Sequence, residues 1–135
     1  MIIAFYSMTG NVRRFINGSG IAEDYDTYEI RASNKNERIH EPFILVTSTY
    51  GFGGVPNEVK AFLEVNNDLM RAVASSGNRN WGENFARAGE DISENYNVPL
   101  LMKFELHGNQ KDREEFFGKA GAIYESYGRS EIQSY

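Results

Sequence analysis

The chain has 135 residues, of which 41% are hydrophobic and 13% aromatic, which suits one domain with a packed core and not a disordered segment. Fourteen Lys and Arg against 19 Asp and Glu leave a formal charge of −5, and no basic run exceeds a pair, so nucleic acid is disfavoured as a partner. Absence of cysteine excludes disulfides and thiolate metal sites, the two histidines, His40 and His107, are too few for most metal clusters, and no window approaches the ~18 apolar residues of a membrane span.

The first six residues, "MIIAFY", form a short β-branched and aromatic run bounded by turn residues, which predicts a buried strand. They lack the basic lead and length of a signal peptide, so a cytoplasmic protein is expected. Residues 11–18 read as a helix with Val12, Phe15 and Ile16 on one face. "DTYEI", 26–30, alternates like an edge strand, and "NKNER", 34–38, is a polar loop where a crossover helix is shortened or missing. "FILVTS", 43–48, is the most hydrophobic run and is expected at the centre of a parallel sheet. After the glycine-rich "TYGFGGVP", Pro56 suits the first turn of a helix over 57–65. "LMRAVASSG", 69–77, predicts a fourth strand and "VPLLMKFEL", 98–106, a fifth. Helices are expected over about 83–95, with Phe85, Ala88, Ile92 and Tyr96 as a stripe, and about 110–126. Strands alternating with helices imply a doubly wound, five-stranded parallel sheet in a single α/β domain, with ligands at the carboxyl ends of the strands.

That rule brings three loops to one edge: "SMTGN" (7–11), "TSTYGFGG" (47–54) and "SSGNRNWG" (75–82). In the first, Ser7 and Thr9 offer hydroxyls, and the amides of Gly10, Asn11 and Val12 open a helix whose dipole favours an anion. An N-cap with a tight turn accounts for the same residues. The pattern is neither a P-loop nor G-x-G-x-x-G, so a dinucleotide is disfavoured. Arg13 and Arg14 are either phosphate partners or solvated helix residues. In the second loop Gly51, Gly53 and Gly54 let backbone approach a flat ligand on which Tyr50 and Phe52 can stack; a mobile loop with Phe52 tucked into the core is the alternative. The third offers Asn78, Asn80 and Trp81, the Trp standing outside the helical stripe. A phosphate loop beside aromatic and glycine-rich walls is the layout for flavin mononucleotide.

At these loops the sequence resembles the flavodoxin family and, within it, the NrdI proteins of class Ib ribonucleotide reductase systems. The resemblance rests on "FYSMTGNVRRF", "EPFILVTSTYGFGGVPNEV", "ASSGNRNWGENFARAGEDIS", "YNVPLLMKFELHGN" and "IQSY", the third being the most specific. It implies FMN held by Ser7, Met8, Thr9, Gly10, Asn11 and Val12 around the phosphate. Ring contacts are implied for Ser48, Thr49, Tyr50, Gly51, Phe52 and Gly53 and for Gly77, Asn78, Asn80, Trp81 and Gly82. It further implies that the reduced protein reacts with dioxygen and passes oxidant to the small, radical-bearing reductase subunit, where a dimanganese centre is oxidised and a tyrosyl radical forms, with an unidentified reductase as electron donor. No catalytic residue or metal ligand is expected in this chain, whose role is that of a redox accessory factor. His107 and Gly108 lie just past the fifth strand, as a turn or as contacts to the flavin rim or a partner, and Phe52, Asn80 and the 128–135 tail are candidate partner contacts.

Two other functions use the same residues. A general flavodoxin carries electrons to reductases, differing in partner surface and oxygen reactivity. A non-redox module holds a phosphorylated ligand on the same sheet edge. A phosphoacceptor domain is set aside, because Thr47 and Ser48 end the central strand where it needs Asp.

Overall fold

A computed structural model describes residues 1–51 and 53–133, with side chains described through Tyr127. Five strands, β1 (Ile2–Tyr6), β2 (Asp26–Glu29), β3 (Phe43–Ser48), β4 (Met70–Gly77) and β5 (Leu100–Glu105), pair in parallel in the order β2-β1-β3-β4-β5. The helices are α1 (Asn11–Gly18), α2 (Ile21–Asp24), α3 (Asn57–Asn66), α4 (Arg87–Tyr96) and α5 (Gln110–Gln133).

Alternation along the strands divides the apolar side chains between two cores. Ile3, Phe5, Ile44, Val46, Ala72, Ala74 and Phe104 face α1 and α5, where Phe15, Ile16, Phe116 and Ala120 meet them. Ala4, Phe43, Leu45 and Val73 face α3 and α4 through Val59, Phe62, Leu63 and Ile92. The doubly wound sheet is therefore as the alternating pattern requires, with all six residues of β3 buried at its centre and β2 at an edge. Phe15 stacks on Phe104 with ring centroids 3.8 Å apart and meets Phe116 edge-on at 5.3 Å, so one side chain joins α1 to β5 and α5.

Strands other than β3 are trimmed by a residue or two at their ends, and the larger departures from the sequence expectation lie in the helices. The helix expected from about 83 begins at Arg87, preceded by a 3-10 segment over Arg79–Asn84. Gly82 (φ 55, ψ −120) and Ala86 (φ 50) break the helical path between them, and Phe85 is left outside the stripe beneath the Arg79 guanidinium, 4.8 Å from its ring centroid. Pro56 stands at the N-cap of α3 with ψ 144 and not inside its first turn. The last helix runs on to Gln133, and the short α2 has no counterpart in the expected pattern.

Between β2 and β3 no helix forms, and the segment is held by a side chain instead. Asn66, fully buried at the end of α3, accepts a hydrogen bond from the Ile39 amide (2.9 Å) and donates to the carbonyls of Glu37 (2.9 Å) and Phe62 (3.1 Å). Backbone groups that a helix would have paired internally are paired by this amide. Asn66→Ala leaves the Ile39 amide and Glu37 carbonyl without it, at about 1–3 kcal/mol for each group left unsatisfied. Urea unfolding of the variant is expected to show a clear fall in midpoint; an unchanged midpoint would mean that the 34–42 segment is anchored elsewhere.

Candidate functional site

At the end of β1 the chain turns through Gly10, whose φ of 90 is the left-handed conformation that favours glycine, and enters α1 directly. The Ser7 hydroxyl accepts from the Arg13 amide at 3.2 Å, so it serves as a cap from outside the helix. The Thr9 hydroxyl oxygen accepts from the Asn11 side-chain amide at 3.3 Å, which leaves its own proton to donate. The Asn11 and Val12 amides open the helix and have no intrahelical acceptor, and the first turn carries no acidic residue to satisfy the dipole. The Val12 side chain is wholly buried, so only its backbone can take part at the surface. Arg13 is committed elsewhere: its guanidinium bonds Glu29 at 2.5 and 3.3 Å and holds that carboxyl below its usual range. The solvated-face reading, and not the phosphate reading, therefore describes Arg13.

The end of β3 lies beside this turn. The Ser48 hydroxyl accepts from the Met8 amide (3.1 Å) and donates to the Tyr6 carbonyl (3.3 Å), tying the first loop to the central strand. Thr49 follows, 7% exposed, and its hydroxyl oxygen has no hydrogen-bond partner in the protein. Beyond it Tyr50 and Gly54 exchange backbone hydrogen bonds, each 2.7 Å, closing a tight loop.

At the end of β4 the hydroxyls of Ser75 and Ser76 donate to the carbonyls of Ala86 (2.6 Å) and Leu106 (2.5 Å), fixing the exits of the third loop and of β5. Asn78 caps the 3-10 segment by accepting from the Asn80 amide at 2.9 Å. Gly77 passes so close to Ala86 that an added Cβ would lie 2.4 Å from its nitrogen.

These strand ends enclose a cavity of about 180 Å³. Met8, Thr9 and Asn11 line it from the first loop, Ser48 and Thr49 from the second, and Gly77, Asn78 and Trp81 from the third. Eight of the sequence-derived candidates thus meet in one place. Others do not line it. Ser7, Gly10 and Val12 shape the turn behind it; Gly53 is buried against the side chains of Asn84 and Arg87. Gly51, Asn80 and Gly82 are exposed beyond its rim, and Tyr50 lines a neighbouring hollow with Tyr6, Asn57 and Glu58. Phe52 lies outside the described residues, as do the side chains of the 128–135 tail. Sequence reasoning missed two lining residues, Ser76 and Leu106. Leu106 has φ 53, held there by its amide on the Gly77 carbonyl (3.0 Å) and its carbonyl on Ser76. Applying the strand-end rule to β5 would have found it. His107 is exposed, Gly108 closes a tight turn onto Glu105, and Leu106 lines the cavity where neither of them does.

The cavity suits a phosphorylated aromatic ligand. Thr9 and Asn11, at the open start of α1, line it; Met8, Trp81 and Leu106 provide apolar walls, and the unpartnered Thr49 hydroxyl is a buried polar group for which a bound heteroatom is a natural partner. A larger hollow, about 410 Å³, lies at the amino ends of β1 and β2, but Glu23, Asp24 and Asp26 line it and would repel a phosphate.

Gly77→Ala tests the packing on which the cavity depends. The clash with Ala86 backbone is expected to cost about 1–3 kcal/mol of stability and to displace the 78–82 segment, read as altered Trp81 fluorescence. A wild-type midpoint and spectrum would show that the two backbones are not in contact.

Among solved structures, oxidised flavodoxin 1 from Bacillus cereus superposes with a TM-score of 0.64 at 19% identity, over 92% of this chain and 96% of that one. A short-chain flavodoxin associated with a PDU bacterial microcompartment gives 0.66 at 19% identity, over 93% and 96%. A flavodoxin variant from Pseudomonas aeruginosa gives 0.57 at 18% identity, over 91% and 98%. At such identities the likeness establishes the fold, which is flavodoxin-like. The family model described as NrdI flavodoxin-like matches residues 3–117, and the chain accordingly belongs to that family of flavodoxin-type proteins, with FMN as its cofactor.

Proposed function

We propose that the protein, with its FMN reduced, reacts with dioxygen and supplies oxidant, or electrons, for assembling the dimanganese–tyrosyl radical cofactor of a class Ib ribonucleotide reductase small subunit. A separate reductase recharges it, in the cytoplasm. Family membership supports this reading, and the observation that carries it is the meeting of three strand-end loops around one cavity with an anion-seeking end and apolar walls.

FMN, when bound, supplies the electrons; the protein's part is binding, orientation and electrostatics. In this reading the Asn11 and Val12 amides and the Thr9 hydroxyl hold the phosphate, while Ser7 and Gly10 keep the turn in shape. Met8, Trp81 and Leu106 would supply the apolar walls against the ring and restrict water, and Ser48 fixes the spacing of the first two loops. The Thr49 hydroxyl, unpartnered in the protein, would be available to a ring heteroatom. Gly77 and Asn78 would border the ring where they line the cavity, and the exposed Asn80 and Gly82 would be open to a partner.

The decisive experiment mixes reduced protein, dioxygen and a manganese-loaded small subunit and looks for a tyrosyl radical by electron paramagnetic resonance. A radical is expected there and not with dioxygen alone. If none forms while the protein still exchanges electrons with a reductase, it is a general electron carrier. If the purified protein takes up no FMN at all, the redox reading falls.

Thr9→Ala separates phosphate from ring binding. One charge-assisted hydrogen bond contributes about 1.5–3 kcal/mol, so FMN affinity is expected to fall about tenfold or more. Riboflavin affinity, measured by flavin fluorescence quenching, is expected to change little. Equal losses for both ligands would place Thr9 away from the phosphate.

A further inference from the structure

Four methionines occur in the chain, and three are shielded: Met70 is 3% exposed, Met102 8%, and the Met1 side chain 4%. Met8 is 41% exposed and lines the cavity at the strand ends. It also lines the neighbouring hollow of about 150 Å³ with Tyr6, Tyr50, Asn57 and Glu58. The side chain is thus a partition between two spaces, and a ligand filling the first leaves it approachable from the second. Thioethers are oxidised in proportion to such access.

We propose that Met8 is an oxidation site, converted to methionine sulfoxide by hydrogen peroxide formed in the cavity that it lines; this rests on the functional reading above, in which reduced cofactor meets dioxygen. Two electrons and two protons passing to dioxygen give hydrogen peroxide and oxidised FMN. The sulfur lone pair then attacks one peroxide oxygen, the O–O bond breaks, and the second oxygen leaves as water after a proton shift. Sulfur is oxidised by two electrons and peroxide is reduced by two. The sulfoxide oxygen is a strong acceptor, and the hollow offers it donors in the Asn57 amide and the Tyr50 hydroxyl. An apolar, flexible wall of the flavin cavity becomes polar and chiral. Oxidation therefore loosens FMN and makes the protein's oxygen chemistry self-limiting.

The test cycles FMN-loaded protein between anaerobic reduction and dioxygen in the dark, with peroxide measured in solution and each methionine followed by peptide mass spectrometry. Met8 is expected to gain one oxygen atom ahead of Met1, Met70 and Met102, and only when dioxygen is admitted. The oxidised protein should bind FMN several-fold more weakly, with affinity recovered on treatment with methionine sulfoxide reductase. In a second arm hydrogen peroxide is added to protein without reduced cofactor, and Met8 should again react first. Peroxide formed by cycling while Met8 stays unmodified, or reacts no faster than Met70 and Met102, overturns the proposal and leaves the functional reading standing. Absence of peroxide together with absence of radical transfer overturns both. Oxidised Met8 with unchanged FMN affinity overturns the self-limiting role.

Discussion

The site exists because the sheet changes winding direction between β1 and β3. The chain leaves β1 for an edge strand, β2, then crosses back over β1 to build β3, β4 and β5 on the other side. Right-handed crossovers then send the connection after β1 to one face and the connection after β3 to the other. Their first residues diverge, and the gap between adjacent strand ends cannot be closed by either. Met8 and Ser48 face one another across it. Every lining residue described above stands within a few positions of a strand's carboxyl end.

A gap of this kind would be filled by water or collapse without supports, and the supports are hydroxyls. Ser48, Ser75 and Ser76 each spend their single proton on a backbone carbonyl of a neighbouring segment, at 3.3, 2.6 and 2.5 Å. Two of these bonds join strand exits in pairs, β3 with β1 and β4 with β5, and the third ties β4 to the start of α4. The polar ends of β3 and β4 thus have a structural reason before any ligand is considered, and the residues with hydrogen-bonding capacity still unspent are the informative ones. Thr9 keeps its proton and Thr49 has no partner. Ser48 and Asn78, by contrast, already serve as a staple and a cap.

Packing on the two faces sets how firmly the rim is held. Phe15, between β5 and α5, anchors α1, so the helix start that presents its amides is fixed by a fully buried aromatic stack one turn further on. On the opposite face the second loop is drawn in where Gly53 rests on Asn84 and Arg87, which couples it to the third. Cavity geometry is therefore a property of both cores, and disturbance of either reaches the ligand edge.

Local patterns were enough for the sheet and for the edge at which a ligand would bind. The apolar runs at 1–6, 43–48, 69–77 and 98–106, the first three ending in or followed at once by Ser or Gly, carry strand, direction and site edge together, because side-chain periodicity is a short-range signal. Eight lining residues were legible by the strand-end rule, and the FMN cofactor and the family through the resemblance that "ASSGNRNWG" and the other loops carry. The tertiary structure decided what depends on groups distant in sequence. Arg13 was removed from the phosphate side by Glu29, sixteen residues on. The expected start of α4 moved to 87, where Ser75 holds the Ala86 carbonyl and Gly82 bends the path. Leu106 was turned into the cavity by bonds to Ser76 and Gly77, while Asn80 and Gly82 were left outside it. A hydrophobic pattern specifies which face of an element is buried; which neighbour meets its ends is settled only when the strands are assembled side by side.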